Sequence, residues 1–290
     1  MPQPILGVVF RPQLPPERLR GAVRAAEESG LDELWLWEDC FLEGGVSAAA
    51  MALAWSERVR IGIGLLPVPL RNPALAAMEL ATLARTFPGR LRIGLGPGVQ
   101  DWMRQVGAGV ESPLTLLGEH VGAIRTLLAG NRVSFEGRYV RLDDVALDWP
   151  PAEAPPILVG ATGPKMLALS GAAADGTILV AHTSTDRVRW AREQIDGGRA
   201  DVGRTEPHPI VLYALAATGP DALARAAKEA RDPSDEPYVL SGDAAAFASS
   251  IQAWADAGAD AVILQPLADE TDIEGFIRFT TDEVAPRLRN

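Results

Sequence analysis

Cysteine is nearly absent. Cys40 stands alone in 290 residues, so an internal disulfide is excluded and no Cys-x-x-Cys metal site exists. Histidine is scarce as well. His120, His182 and His208 lie far apart and fit no His-x-x-x-His spacing, so no metal centre is expected. Positive charge is in deficit. A formal net charge of −11 argues against a nucleic-acid binder, which needs a basic face, and against an anionic membrane surface. No apolar run reaches membrane-spanning length. The opening MPQPILGVVF has no basic segment ahead of a long apolar stretch, so no export signal is expected. A Gly-x-Ser-x-Gly elbow is missing, which weakens any serine-triad reading. The expectation is a soluble cytoplasmic protein whose partner is a small molecule.

What is present is an apolar chain with a rhythm. Apolar residues make up 47%, enough for a substantial core and too many for disorder. Short apolar runs alternate with helical patterns. The runs are residues 5–10, 33–37, 58–68, 90–96, 157–160, 176–181, 209–218 and 260–266. Most are continuously apolar, as strands buried on both faces should be. Asn72-Pro73 and Ser112-Pro113 open helices with a good cap followed by proline. The pattern predicts an α/β fold, a (β/α)8 TIM barrel in one domain over 1–290. Its insertions fall at about 97–112, 131–156 and 231–243. Residues 97–112 read as a polar loop, and VSFEGRYVRL within 131–156 reads as a hairpin. The alternative is an open doubly wound sheet, whose usual strand count is lower.

In a barrel the chemistry sits at the C-terminal strand ends. Strand two ends in Glu38-Asp39-Cys40. Glu38 and Asp39 point to opposite sides of an extended strand, so one can face the mouth while the other faces the helices. They are the candidate catalytic residues; capping the next turn is the competing role. Cys40 is either a nucleophile or plain packing. Elsewhere glycines and apolar residues dominate, Gly96 and Gly160 among them. That scarcity suits a broad, flat cofactor that carries the chemistry while the protein supplies shape. Residues 157–176 read ILVGATGPKMLALSGAAADG. The turn has neither the Walker spacing nor the dinucleotide fingerprint. Yet a strand that turns through Gly160, Thr162, Gly163, Pro164 and Lys165 into a helix aims backbone N–H groups at an anion. A tight turn alone would also explain the glycines.

These residues have a likeness. RIGIGLLPVPLRNPALAAMELATLARTFPGRLRIGLGPG, followed by PPILVGATGPKMLALSGAAADGTILVA, resembles the bacterial luciferase-like superfamily, and more narrowly its oxidoreductases that use the deazaflavin coenzyme F420. The resemblance covers nearly the whole chain. It implies a barrel with a mid-chain insertion. It implies hydride transfer between coenzyme F420 and a small organic substrate, with FMN as the alternative cofactor. A non-enzymatic coenzyme-binding barrel is a further alternative. The tail phosphate is implied near Gly160, Thr162, Gly163 and Lys165, with His182 and Thr183 nearby. The ring is implied on a bulge at about Leu65 and Leu66, where a non-proline cis peptide is often found. Many deazaflavin members carry Asp-His after strand two; here Asp39 matches and Cys40 replaces the histidine. Trp102 and Trp149 are candidates for a substrate wall. A homodimer is expected through Trp35, Leu36 and the helices around 46–55 and 74–84.

Overall fold

The structure, a computed structural model, describes residues 3–229 and 239–288. In chain order the elements are β1 (Ile5–Phe10), α1 (Leu19–Ser29), β2 (Glu33–Leu36), α2 (Gly45–Ala54), β3 (Arg60–Pro67), α3 (Pro73–Thr86) and β4 (Leu91–Gly96). Next come α4 (Gln100–Gln105), α5 (Pro113–Leu128), β5 (Val133–Glu136), β6 (Arg141–Val145), β7 (Ile157–Gly160), α6 (Pro164–Ala173), β8 (Gly176–Leu179) and α7 (Thr185–Asp201). The last are β9 (Ile210–Ala216), α8 (Ala222–Glu229), α9 (Ala244–Asp256), β10 (Ala261–Pro266), α10 (Ile273–Arg278) and α11 (Ala285–Leu288).

Eight strands close into a parallel barrel in the order β1-β10-β9-β8-β7-β4-β3-β2. The (β/α)8 expectation holds, and the open sheet is excluded by the β1–β10 pairing of Ile5 with Ala261 through Val8 with Leu264. The expected hairpin is β5 and β6, paired antiparallel outside the barrel. A single carboxylate ties it down: Glu119 accepts from the N–H groups of Arg138, Tyr139 and Val140 at 2.7–2.9 Å. Residues 97–112 are not only loop, since α4 lies within them. The expected insertion at 231–243 falls largely outside the described residues. Among the described residues, no helix is long and apolar enough to cross a membrane.

Apolar packing forms two layers. The larger lies between strands and helices, and the smaller fills the barrel with Val9, Trp35, Leu158, Ile178, Val211, Tyr213 and Ile263. Two glycines on β3 make the inner layer possible. A Cβ on Gly62 would lie 2.2 Å from Trp35, and one on Gly64 would lie 1.8 Å from the Tyr213 hydroxyl. Trp35 and Leu36, expected on an association surface, are instead fully buried, because Trp35 faces into the barrel and Leu36 packs under helices.

The N-terminal end of the barrel is a set of satisfied charges. Glu33, 2% exposed, accepts from Arg60 at 3.1 Å, Arg92 at 3.3 Å and the Trp35 indole at 2.9 Å. Carboxylates at strand starts bind the first amides of neighbours: Asp32 takes the Leu6 N–H, Asp260 that of Ile210 and Asp175 that of Ile157. Asp175 also pairs with Arg125 and Arg204. The Ala-Asp-Gly segment therefore belongs to this end and lies across the barrel from the Gly-Pro-Lys turn.

Candidate active site

The C-terminal strand ends form the mouth, and β2 builds its floor. Strand alternation sends Glu33, Trp35 and Trp37 inward and Leu34, Leu36 and Glu38 toward the helices. Trp35 meets Tyr213 edge-on at 5.8 Å, and Trp37 lies 5.6 Å from the same ring. Burial pushes the Tyr213 hydroxyl far above its usual range, so it stays neutral. Arg11, just past β1, lays its guanidinium 5.6 Å from the Trp37 ring centre. An ion pair with Glu229, the Pro266 carbonyl at 3.1 Å and Gln13 at 3.1 Å hold it there.

Strand β3 breaks register between Ile63 and Leu66, and the Gly64–Leu65 peptide is cis. This is the expected bulge. It turns Leu65 inward against three glycines. A Cβ would come within 3.0 Å of Leu65 at Gly94, 2.6 Å at Gly96 and 2.4 Å at Gly160. Gly96 and Gly160 are thus needed to make room for a leucine. Leu66 packs the other way, 2% exposed in the helix-facing layer.

The β2–α2 connection separates the two acids. The Glu38 carboxylate forms a two-pronged pair with Arg71, one arm at 2.8 Å, and accepts the Gly45 N–H at 2.7 Å. It closes the loop onto α2 and points away from the mouth, with three N–H donors on its two oxygens. Arg71 is itself fixed by Glu79 at 3.2 Å, and its carbonyl faces His120 Nε2 at 3.1 Å. Burial lowers the His120 pKa, which suits a neutral packing histidine. Asp39 is half-buried at the turn, its carbonyl accepting the Leu42 N–H at 2.8 Å. Cys40 comes next, half-buried and joined to Phe41 by a cis peptide. Burial, then the charges of Glu38 and Asp39, raise its thiol pKa, so it is a poor nucleophile. Phe41 and Leu42 project into solvent, 63% and 54% exposed. Glu43 does the opposite: both carboxylate oxygens are buried and without a hydrogen bond. Burial pushes its carboxyl up to about 7. The Trp37 indole N–H is also buried without a hydrogen bond of good geometry.

Across the mouth lies the Gly-Pro-Lys turn. Gly163 caps α6 with no side-chain bond, and a Cβ there would meet nothing within 4 Å. The first-turn N–H groups of Lys165 and Met166 have no partner within the helix. Pro164 supplies no N–H and only sets the helix start. The Thr162 carbonyl accepts from Arg187 at 2.5 Å, and that guanidinium stacks 3.6 Å from the Trp190 ring centre. His182 is exposed and left-handed, with φ of 68°, a conformation uncommon outside glycine. Thr183 is committed inward: its hydroxyl donates to the Val180 carbonyl at 2.7 Å, and its own carbonyl accepts from Trp254 at 2.9 Å.

Asp39, Leu65 and the turn at 162–165 thus each lie at the C-terminal end of a barrel strand. Glu38, Leu66 and the Thr183 hydroxyl are turned elsewhere. Trp102 is half-buried on α4. Trp149 is 72% exposed beneath Arg85, at the far end of α3 from the mouth. Sequence reasoning does not single out Arg11, Glu43 or Arg187. Period-two counting from Val9 could have found Arg11; Glu43 lies in a loop with no periodicity to read. No group of His, Cys, Asp or Glu among the described residues could hold a metal ion.

Comparison with known proteins agrees with this geometry. A family described as luciferase-like monooxygenase matches residues 7–286. A 5,10-methylenetetrahydromethanopterin reductase of Methanolobus tindarius is 32% identical over 225 residues, 77% of this chain and 68% of the relative. An F420-dependent glucose-6-phosphate dehydrogenase of Kineococcus radiotolerans is 34% identical over 189 residues, 60% of this chain and 55% of the relative. Among solved structures, an F420-dependent secondary alcohol dehydrogenase in complex with an F420-acetone adduct superposes with a TM-score of 0.87. It covers all of both chains at 21% identity, a likeness of fold.

Proposed function

Because the chain belongs to the luciferase-like monooxygenase family, we propose that it is a coenzyme F420-dependent oxidoreductase acting on a small organic substrate. Family membership carries the reading, and the relatives matched over most of the chain are named for reactions of this type. When bound, the deazaflavin accepts or donates hydride at its C5. The residues present fit such a group. Leu65 offers an apolar ledge, raised by the bulge and seated on glycines of β4 and β7. The unfilled space at Gly163 and the N–H groups at the start of α6 offer an anion a close approach.

In this reading Leu65 supports the ring from below, with Trp37 and Arg11 beside it. Thr162, Gly163 and the Lys165 N–H hold the tail phosphate, with the Lys165 ammonium, Arg187 and His182 around it. Gly96 and Gly160 act through Leu65, and Pro164 through the helix start. Asp39 orients ring or substrate from the β2 end. The proposal extends to a cytoplasmic homodimer that covers Met51, Leu75 and Met78, which stand exposed on α2 and α3; light scattering showing a monomer at micromolar concentration would overturn that part. The main reading is tested by mixing the protein with oxidised coenzyme F420 and candidate reduced substrates. Loss of the deazaflavin's visible absorbance supports it. Oxygen uptake with reduced FMN, and no reaction with F420, would replace it with a flavin monooxygenase.

A further inference from the structure

Two polar side chains at the mouth keep hydrogen-bonding capacity that the chain does not use. The inward row of β10 is Ala261, Ile263 and then Gln265, the first two packed in the inner layer of the barrel. Gln265 ends that row, 8% exposed, and among the described residues its amide makes no hydrogen bond. Arg11 stands beside it. Its Nη1 donates to the carbonyl of Pro266, the last residue of β10. Its guanidinium lies against Trp37, one residue past β2. Strands β2, β1 and β10 are neighbours in the barrel, so Arg11 bridges their C-terminal ends. Its Nε is spent on Gln13, and its Nη1 on Glu229 and Pro266. The N–H groups of Nη2 have no partner among the described residues. Among those residues, the side-chain atoms closed to solvent without a partner belong to Ser29, Trp37 and Glu43, so Nη2 and the Gln265 amide stay open. Helix α8 walls this side. Ala222 and Ala226 pack with Leu215 and Leu267, next to the ends of β9 and β10, and Glu229 anchors Arg11.

In the closed strand order, β1 and β10 stand opposite β7 and β4, the strands whose glycines seat Leu65. A coenzyme ring on Leu65 leaves the β10–β1 side for the substrate. Charge on that side is balanced. Arg11 pairs with Glu229, Arg71 with Glu38 and Glu79, and Arg225 with Asp269 and Glu270. A carboxylate or phosphate would find no cation in excess among these, whereas an uncharged oxygen meets donors already in place. We propose that Arg11 and Gln265 form the polar subsite for the substrate, and that it takes an uncharged carbonyl or carboxamide group. This rests on the reading of the mouth as a deazaflavin hydride-transfer site. The substrate oxygen accepts from Arg11 Nη2 and from the Gln265 amide, and a carboxamide N–H donates to Gln265 Oε1. A site whose buried polar groups await partners rejects molecules that cannot supply them.

The test is titration of the F420-saturated protein with matched amides and carboxylates, from acetamide and acetate to benzamide and benzoate, followed by saturation-transfer NMR. The amides should bind at least about tenfold more tightly than their carboxylate partners. Gln265→Leu should lose about tenfold of the amide affinity while keeping its affinity for coenzyme F420. It should also melt no lower than the wild type, because leucine replaces a side chain that bonds nothing in the described chain. A purely structural Gln265 would give the reverse, a lower melting temperature with amide binding unchanged. Tighter binding of the carboxylates, binding of neither kind, or amide binding indifferent to Gln265→Leu would overturn the proposal alone, since F420 binding is read on the same samples. No F420 binding to the wild type would overturn the underlying reading, and with it the assignment of this subsite to the substrate.

Discussion

The two ends of the barrel treat their charges in opposite ways. At the N-terminal end, Glu33 has three donors and Asp175 has two arginines and an amide. At the C-terminal end, Glu43 has no hydrogen bond, and the Gly163–Lys165 turn leaves donors and space unfilled. Folding alone explains the first end, because every buried charge finds its partner within the chain. It does not explain the second, where partners from outside would complete the bonding. Stability and function are thus separated along the barrel axis, as the general anatomy of this fold leads one to expect.

The largest effect should come from breaking the satisfied end. Glu33→Ala strands Arg60, Arg92 and the Trp35 N–H. It should cost about 3–5 kcal/mol in denaturant unfolding, with no new binding property. Next comes the space around Leu65. Gly160→Ala drives a Cβ to 2.4 Å from that side chain and should cost roughly 1–3 kcal/mol. Gly163→Ala, three residues on, enters open space and should change stability by less than about 0.5 kcal/mol. A Gly163 variant therefore reads out ligand approach, while a Gly160 variant reads out packing.

A smaller pair of effects sharpens the contrast through pH. The folded Glu43 carboxyl holds its proton up to about 7, whereas the unfolded one releases it near 4.5. Stability therefore falls as pH rises between those values. Glu43→Gln should match the wild type at pH 4 and exceed it by about 1–2 kcal/mol above pH 7, after allowance for partial solvation. His208, at the opposite end, has the opposite sign. Burial, then Arg192, Arg199 and Arg204, depress its pKa to about 4. The unfolded chain takes up that proton near 6.5, so this contribution is lost as pH drops from there through 4. Thermal melts across pH on the wild type and Glu43→Gln would separate the two slopes.

Much of the barrel is legible in the sequence because its strands are continuous apolar runs and its helices open with caps such as Asn72 and Ser112, which accept the Ala74 and Thr115 amides. The site is less legible, for physical reasons. Alternation says that Glu38 and Asp39 diverge, but only Arg71, thirty-three positions on, shows where the Glu38 carboxylate is held. The glycines at 96 and 160 suggest approaches for a coenzyme, yet what occupies their space is Leu65, turned inward by a bulge. Asp175 follows the Gly-Pro-Lys turn closely in sequence, yet helix α6 between them places it at the other end of the barrel. Glu43 gives no signal, since it lies in a loop with no periodicity to read.

The separation of the two ends is tested most directly by hydrogen–deuterium exchange with and without coenzyme F420. Protection should appear in residues 37–45, 63–67 and 160–166, with none gained around Glu33, Asp175 and Asp260. Protection gained at the N-terminal end, or none at the mouth under saturating coenzyme, would contradict the account.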